Sequence, residues 1–210
     1  MTVVGVLAAG GSGERLGSDR PKAFVVCAGR PLYEWSVDVL REVCERVVVA
    51  VPDGYADPPD HVAGGNSRSA SVRNALAAAP EATIAVVHDA ARPLVTAELV
   101  RRCVEAVDHG ADGAIAAARV TDTVHAVGRD GLIAATPDRA SLWAAQTPQV
   151  FRADLLRLAL DVSEEALAAA TDDAALVRAA GGRVRVVEAP RENMKVTTPA
   201  DLRVVESVLC

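Results

Sequence analysis

The stretch that decides the fold is residues 3–17, VVGVLAAGGSGERLG, in which an apolar run passes directly into a glycine-rich loop. The apolar part, residues 3–8, has the continuous hydrophobicity of a strand that is buried on both faces. Clustered glycines in the loop allow backbone N–H groups to converge on an oxyanion, because no Cβ blocks the approach. Arg15 and Lys22 add cationic donors, so the loop is predicted to hold a nucleoside triphosphate.

Two other glycine-rich motifs match this loop poorly. The dinucleotide-binding fingerprint G-x-G-x-x-G opens a helix, but Leu16 stands at the third glycine and Pro21 interrupts any helix directly after the loop. The P-loop pattern fails as well, because no Gly-Lys-Ser/Thr follows. A dinucleotide-binding oxidoreductase domain is therefore a disfavoured alternative of a different class.

Apolar strands alternate with helical segments along the rest of the chain. This alternation predicts a mostly parallel twisted sheet with helices on both faces, which is a Rossmann-like three-layer α/β sandwich. The residues between the second strand and the helix that follows it, 52–65, are rich in Pro, Asp and Gly and are predicted to form a loop. The further strands are predicted at 46–51, 83–88, 113–118 and 183–188, and the helices at 31–44, 67–79, 96–108, 154–160, 171–180 and 198–209.

The pattern changes between about residues 120 and 147, where the first part of the segment is polar and β-like. Gly128-Arg129-Asp130-Gly131 is typical of a hairpin turn, so we predict an inserted β-hairpin arm within a single domain of residues 1–210. A lone two-stranded hairpin is marginal in water. We therefore expect the arm to dock on a partner, and a second copy of this chain, in a homodimer, is the obvious candidate.

Composition limits the class of partner. The formal net charge of −6 argues weakly against polymeric nucleic acid, because proteins that bind it usually present a basic face. The four cysteines form no C-x-x-C pair, which disfavours a zinc or redox motif. The first apolar run is too short for a signal peptide or a membrane span, so we expect no membrane partner and a cytoplasmic location.

Three further segments add polar groups to the predicted site. His88 to Pro93, HDAARP, follows the third strand at the edge where open α/β sheets bind ligands. Asp89 offers one carboxylate to Mg²⁺, although a helix-capping pair with Arg92 is an equal alternative. The backbone and hydroxyl groups of the glycine turn at residues 64–71 either hydrogen-bond to the edge of a nucleotide base or simply cap a helix. Lys195 lies in a loop before the last helix, where an isolated lysine is usually solvated surface.

The order of short motifs along the chain points to one family. The segments are LAAGGSGERLG, PK, GG with RxxSV, HDAARP, TPQVF, TDDA and ENMKVTTPADL. Together they strongly resemble the 2-C-methyl-D-erythritol 4-phosphate cytidylyltransferases of the non-mevalonate isoprenoid pathway, nearly end to end. Many sugar-nucleotide pyrophosphorylases share the first loop, whereas its combination with HDAARP and the NMKVT loop is far more specific.

The resemblance implies a reaction and a set of residues. The phosphate of methylerythritol phosphate attacks the α-phosphorus of CTP and pyrophosphate leaves, with Mg²⁺ or another divalent cation as cofactor and no covalent enzyme intermediate. Catalysis then consists of positioning and charge stabilisation. The resemblance assigns the catalytic contacts to Arg15, Lys22 and Lys195, nucleotide binding to Ala8, Ala9, Gly10, Gly11, Gly13, Gly65, Ser71 and Asp89, the metal to Asp89, and the acceptor to Arg92 and Thr136, the latter in trans from the arm of a second subunit.

One departure from the family pattern concerns the acceptor phosphate. The family has an arginine two residues after the second aromatic of TPQFF, whereas this chain has Ala153 there and Arg152 one residue earlier. A one-residue offset on an extended segment turns the side chain to the other face, but Arg152 would reach the acceptor if a helix begins there. A ribitol 5-phosphate cytidylyltransferase stays open as the alternative, because only the acceptor contacts separate it from the family.

Overall fold

The structure is a computed structural model that describes residues 1–11, 13, 16–17, 20–56 and 60–210. The strands in these residues are β1 (Val3–Ala8), β2 (Val26–Cys27), β3 (Arg30–Pro31), β4 (Arg46–Val51), β5 (His61–Ala63), β6 (Ile84–Asp89), β7 (Gly113–Arg119), β8 (Ala126–Val127), β9 (Ile133–Ala135), β10 (Trp143–Arg152) and β11 (Val184–Glu188). The α-helices are α1 (Leu32–Arg41), α2 (Arg68–Ala77), α3 (Ala97–Asp108), α4 (Ala153–Leu160), α5 (Glu164–Ala169), α6 (Asp173–Ala179) and α7 (Pro199–Leu209). Short 3-10 turns cover Lys22–Phe24 and Arg139–Ser141.

Seven strands form the central sheet, in the order β11-β7-β10-β6-β1-β4-β5. Neighbouring strands pair in parallel except at β10, which lies antiparallel between β6 and β7. The first strand, β1, has a parallel partner on each side, as its continuous apolar sequence predicts. The prediction of a mostly parallel α/β sheet is confirmed.

Helices cover both faces of this sheet and bury a separate apolar cluster on each. Val3 and Leu7 of β1 join the cluster under α1 and α3. Val4 and Val6 join the cluster under α2, α4, α5 and α6. Because alternate residues of a strand point to opposite faces, β1 contributes to both cores, and the predicted three-layer arrangement is confirmed.

The strand β10 was not predicted, because Pro148 lies inside it and proline cannot donate to a β ladder. Its pairing register with β7 shifts between Ala145 and Gln149, so the proline falls in a β-bulge between two regularly paired flanks. The predicted loop at residues 52–65 contains the three-residue edge strand β5, and α5 was missed as well. Both elements are short, and their apolar residues show too little periodicity to predict them.

The hairpin β8–β9 forms a separate two-stranded sheet inside the predicted arm. Gly128 N donates to Leu132 O at 2.9 Å, and Gly131 has a φ of +81°, which only glycine adopts without strain. The predicted turn is therefore present. The apolar side chains of Val127, Leu132 and Ile133 are exposed on this hairpin.

The helix α7 packs against the first loop. Thr198 Oγ1 accepts from Asp201 N at 3.2 Å and Asp201 Oδ2 accepts from Thr198 N at 2.8 Å, which is a capping box that starts the helix. Val205 then packs in one apolar cluster with Leu16 and Val196. Neither α7 nor any other helix in the described part of the chain is long and apolar enough to cross a membrane.

Candidate active site

A cavity of about 560 Å³ opens beyond the carboxyl ends of β1 and β6. This is the edge at which open α/β sheets bind ligands, and the volume is within the usual range for small-molecule sites. The first loop, the turn before α2, the end of β6 and the segment before α7 form its walls. The lining residues are Ala8, Ala9, Gly10, Gly11, Gly13, Leu16, Lys22, Ala23, Gly65, Asn66, Ser67, Arg68, Ser71, Asp89, Ala90, Ala91, Lys195 and Thr197.

The first loop folds back on itself at Gly13. Lys22 N donates to Gly11 O at 3.1 Å, and Leu16 N donates to Gly13 O at 2.8 Å. Gly13 has a φ of +82°, and a Cβ there would lie 3.1 Å from Lys22 N. Glycine at this position therefore lets Lys22 reach the cavity beside the loop backbone. The predicted catalytic residue Arg15 lies outside the described residues.

A second glycine turn faces the first loop. A Cβ on Gly65 would lie 2.5 Å from the Cβ of Ala70, so only glycine fits. Gly65 N donates to Ser71 Oγ at 3.0 Å, and Ser71 Oγ donates to Ser67 O at 2.9 Å. Ser67 caps α2 by accepting from Ala70 N at 3.1 Å. The helix-capping interpretation is thus correct for Ser67, while Ser71 holds the cavity wall at Gly65.

Asp89 lies at the centre of the charges on the cavity wall. Its Oδ1 accepts from Arg68 Nε and its Oδ2 accepts from Lys195 Nζ, both at 2.7 Å. Burial would raise the pKa of Asp89, but the charges of Arg68 and Lys195 hold it well below its usual range, so the carboxylate is ionised. Arg92 Nε is 3.9 Å from Asp89 Oδ2, and Arg92 Nη1 instead donates to Asn193 O at 2.7 Å. The pair of Asp89 with Arg92 is thus a long ion pair, and it does not cap α3, because Thr96 does.

Both lysines of the chain, Lys22 and Lys195, line this cavity. The other basic side chains among its 22 Lys and Arg residues are arginines. A compact ammonium on a flexible stem suits a point contact with a phosphate. The interpretation of Lys195 as ordinary solvated surface does not hold, because its ammonium pairs with the buried Asp89.

Sequence reasoning missed two charged residues of the site, Arg68 and Asp173. Arg68 Nη1 donates to Asp173 Oδ2 at 2.6 Å, so its guanidinium bridges Asp173 and Asp89. Burial would lower the pKa of Arg68, but the two carboxylates raise it above its usual value. Both residues stood in motifs that carried the family resemblance, RxxSV and TDDA. Their presence in these motifs was the signal in the sequence that could have identified them as site residues.

A hydrogen-bonded network behind the cavity ties Asp89 to the bulge of β10. Asp89 N donates to Thr147 Oγ1 at 3.1 Å, and Thr147 Oγ1 lies 2.9 Å from His88 Nδ1. His88 Nε2 lies 3.1 Å from Arg92 O, a group that only accepts, so Nε2 carries the proton and Nδ1 accepts from Thr147. Burial lowers the pKa of His88 to about 4, which keeps the ring neutral.

The three residues predicted to hold the acceptor do not line the cavity. Arg92 lies just behind Asp89, whereas Thr136 is in the exposed arm, where its Oγ1 is 3.0 Å from His125 Nδ1. Arg152 pairs in register with Ile84, at the opposite end of β6 from Asp89.

Within its own chain, Arg152 lies away from the cavity. A helix does begin at Ala153, yet Arg152 is roughly 16 Å from the cavity edge, at about 3.3 Å per residue along β6. Its guanidinium pairs with Asp154 in solvent. An acceptor bound in the cavity of the same chain would not meet Arg152.

The fold and the cavity together define a nucleotidyltransferase of the α/β class. Its parallel strands end at a cavity that is walled by two glycine turns and lined by two lysines and one buried carboxylate. Such an arrangement suits a triphosphate, which requires both backbone and cationic donors.

The chain belongs to the 2-C-methyl-D-erythritol 4-phosphate cytidylyltransferase family, whose model matches residues 3–210. A protein of that name from Prochlorococcus marinus (strain MIT 9313) is 40% identical, over 97% of this chain and 96% of the relative. One from Nocardia farcinica (strain IFM 10152) is 43% identical, over 99% of this chain and 94% of the relative. The crystal structure of the enzyme of this name from Thermus thermophilus superposes with a TM-score of 0.83 at 35% identity, covering 99% of this chain and 98% of that one.

Proposed function

We propose that this chain transfers the cytidylyl group of CTP to 2-C-methyl-D-erythritol 4-phosphate, in non-mevalonate isoprenoid biosynthesis. The products are 4-diphosphocytidyl-2-C-methyl-D-erythritol and pyrophosphate. The relatives from Prochlorococcus and Nocardia are named for this activity and match the chain nearly end to end. This match favours methylerythritol phosphate over ribitol phosphate as the acceptor, and it disfavours a dinucleotide-dependent oxidoreductase.

The observation that carries the proposal is the arrangement of Lys22, Lys195 and Asp89 around one glycine-walled cavity. An oxygen of the acceptor phosphate would attack the α-phosphorus of CTP, and the bond from that phosphorus to the oxygen of the leaving pyrophosphate would break. Lys195, with Lys22 and Arg15, would stabilise the charge that develops on the phosphate oxygens. No covalent intermediate on the protein is needed.

The two glycine turns support the proposed binding of cytosine and ribose. A Cβ on Gly10 would lie 3.4 Å from Ser71 Oγ, so the first loop and the turn at Gly65 stand close together across the cavity. Ala8, Ala9 and Gly10 would contact the nucleoside from one side, and Gly65 and Ser71 from the other. The phosphates would then extend along Gly11 and Gly13 toward the lysines.

The donor set on the cavity wall fits a magnesium ion that arrives with the nucleotide. Mg²⁺ is usually held by one or two carboxylates, with phosphates and water as the other ligands. Each carboxylate oxygen of Asp89 accepts one cation-assisted hydrogen bond and retains a lone pair for a metal. Asp89 would thus hold Mg²⁺ or another divalent cation, whose charge would partly neutralise the phosphates.

The proposed homodimer forms through the arm. Val127, Leu132 and Ile133 are 58%, 68% and 61% exposed on a hairpin that pairs with no other strand in the described chain. Exposed apolar groups on a two-stranded hairpin favour docking against another surface. Thr136, at the end of β9, would then serve the acceptor in trans, together with Arg92 of the subunit that holds the nucleotide.

The proposed partners are small phosphorylated molecules. A net charge of −6 is consistent with a local cationic cavity, because charges are screened over about 8 Å at physiological salt. We propose that neither a nucleic-acid polymer nor a membrane is a partner. The proposed location is the cytoplasm, where CTP is available.

A pyrophosphate-release assay tests this function. CTP, UTP, ATP and GTP are each combined with methylerythritol, ribitol and erythritol phosphates. We expect release with CTP and methylerythritol phosphate, which requires Mg²⁺ or another divalent cation. If ribitol phosphate were the only acceptor that gave activity, the assignment of methylerythritol phosphate as acceptor would be wrong. Binding of NADH without binding of CTP would exclude the transferase.

A further inference from the structure

Asp173 is a charged residue that the proposed reaction leaves unused. It is the first residue of α6, and its side chain is fully buried. Its Oδ2 accepts from Arg68 Nη1, while its Oδ1 is buried without a hydrogen-bond partner in the described chain. Burial raises the pKa of Asp173, and the Arg68 guanidinium opposes this change. Since buried ion pairs seldom add stability, the pair suggests a role in the site.

The four charges form a line of alternating sign that ends in the cavity. Asp173 contacts Arg68, Arg68 contacts Asp89, and Asp89 contacts Lys195. The guanidinium is planar and rigid. The bond of Nη1 to Asp173 therefore sets the direction in which Nε meets Asp89.

The inner end of this line is anchored to the central sheet. Gln149 of β10 accepts from Ala174 N at 3.3 Å and donates to Asp172 Oδ2 at 3.0 Å. These bonds hold the first turn of α6, and Asp173 with it. The outer end is more accessible, because the Lys195 side chain is 40% exposed whereas that of Asp89 is 9% exposed.

We propose that Asp173 is a positioning residue for the cytidylyl transfer, an inference that rests on the proposed function. Asp173 holds Arg68, and Arg68 holds the Asp89 carboxylate toward the cavity. Lys195 can then exchange Asp89 for a phosphate of the nucleotide without Asp89 changing its position. Without Asp173, the Arg68 guanidinium would be free to turn toward the phosphates, and Asp89 would lose its fixed orientation.

The first test is Asp173→Asn, which keeps the shape of the side chain and removes its charge. Asp161→Asn is the control, because it removes the same charge from an exposed position just after α4, outside this line of charges. We expect kcat for pyrophosphate release to fall about 10–100-fold in Asp173→Asn, as for other outer partners of a site. The KM for CTP should change little, and Asp161→Asn should retain activity close to wild type.

A second pair of variants separates positioning from folding. Arg68→Lys keeps one positive charge but loses the planar fork whose separate nitrogens meet Asp173 and Asp89, so its kcat should fall as well. In an Arg68→Gln background, Asp173→Asn should add little further loss, because both residues act through one contact. CTP binding and thermal unfolding are measured on every variant, and the kinetic comparison uses the variants that bind CTP.

The outcomes distinguish this inference from the proposed function. An active wild type in which Asp173→Asn behaves like Asp161→Asn would overturn the inference alone. A wild-type kcat in Arg68→Lys would also overturn it, and so would a raised KM with unchanged kcat in Asp173→Asn. Additive losses of kcat in the Arg68→Gln/Asp173→Asn double variant would overturn it as well. A wild type without CTP-dependent pyrophosphate release would overturn the proposed function itself.

Discussion

Lys195 Nζ lies 2.7 Å from Asp89 Oδ2, although 106 positions separate the two residues in the chain. The parallel sheet brings the end of β6 to the cavity, and the backbone bond from Val196 N to Ala91 O, at 2.8 Å, aligns the segment of Lys195 beside it. The lysine is thus held at the cavity wall, where phosphate charge is expected. The acid beside it is the candidate metal ligand.

Replacing the lysines is the most direct test of their role. We expect Lys195→Ala and Lys22→Ala each to lower kcat by about 10²–10³-fold, or about 2.7–4 kcal/mol, as for the loss of one preorganised donor. Arg203→Ala, which removes a positive charge from the exposed side of α7, is the control and should leave kcat unchanged. Pyrophosphate release measures all three, and wild-type turnover in both lysine variants would contradict the assignment.

Asp89→Asn tests the metal site. The amide keeps the size of the side chain but supplies a weaker metal ligand, and it leaves Arg68 and Lys195 without their shared carboxylate. We expect a higher Mg²⁺ concentration for half-maximal activity, and weaker Mn²⁺ binding in the presence of CTP as seen by electron paramagnetic resonance. The same variant with an unchanged metal titration would rule out Asp89 as the ligand.

Gly65→Ala should damage the nucleotide wall. The new Cβ would lie 2.5 Å from Ala70 Cβ and 2.9 Å from its carbonyl carbon, so the turn or α2 must move. Overpacking of this kind costs about 1–3 kcal/mol of unfolding free energy, and CTP affinity should fall. Gly11→Ala is the contrast, because a Cβ there meets no atom within 4 Å. It should keep its stability, and equal losses of stability in the two variants would contradict the steric argument.

Because the pKa of His88 is lowered in the folded protein, we expect the free energy of unfolding to fall with decreasing pH. Its folded-state pKa of about 4 lies below the ordinary 6.5, so the unfolded chain binds the proton more readily between these values. The stabilisation is complete above pH 6.5 and is lost as the pH falls toward 4. From pH 7 to 5, we expect a loss on the order of 2 kcal/mol, at about 1.4 kcal/mol per pH unit below 6.5.

Urea unfolding at the two pH values measures this effect. His88→Gln should reduce the difference, whereas His109→Gln, at an exposed position, should leave it intact. An unfolding free energy that does not change between pH 7 and 5 would show that His88 is not held neutral.

The arm can be tested through its exposed apolar residues. Leu132→Asp should convert the proposed dimer to monomers in light scattering and lower activity, because Thr136 would no longer reach the acceptor in trans. Leu158→Asp is the matched control, since Leu158 is 63% exposed on α4, outside the arm, against 68% for Leu132. A wild-type chain that is monomeric at working concentration would refute the dimer.

Local patterns predicted most of the elements. The bounds of β1 and β4 were predicted to the residue, and Thr96 and Thr198 cap α3 and α7 as expected. These features depend on hydrophobic period and on capping chemistry, which neighbouring residues carry. The strand β10 escaped prediction because Pro148 argues against a central strand unless a bulge accommodates it, and a bulge depends on the partner strand.

The sequence by itself determined a parallel α/β sheet with a glycine-rich loop suited to phosphates, because the continuous strands, the helix signals and the glycines are local properties. Its motifs also indicated the family. Only the tertiary structure decided that Asp89 pairs more closely with Arg68 and Lys195 than with Arg92. It also decided that Arg152 lies at the far end of the sheet. Such pairings follow from strand order and register, which bring distant segments together and which no local pattern encodes.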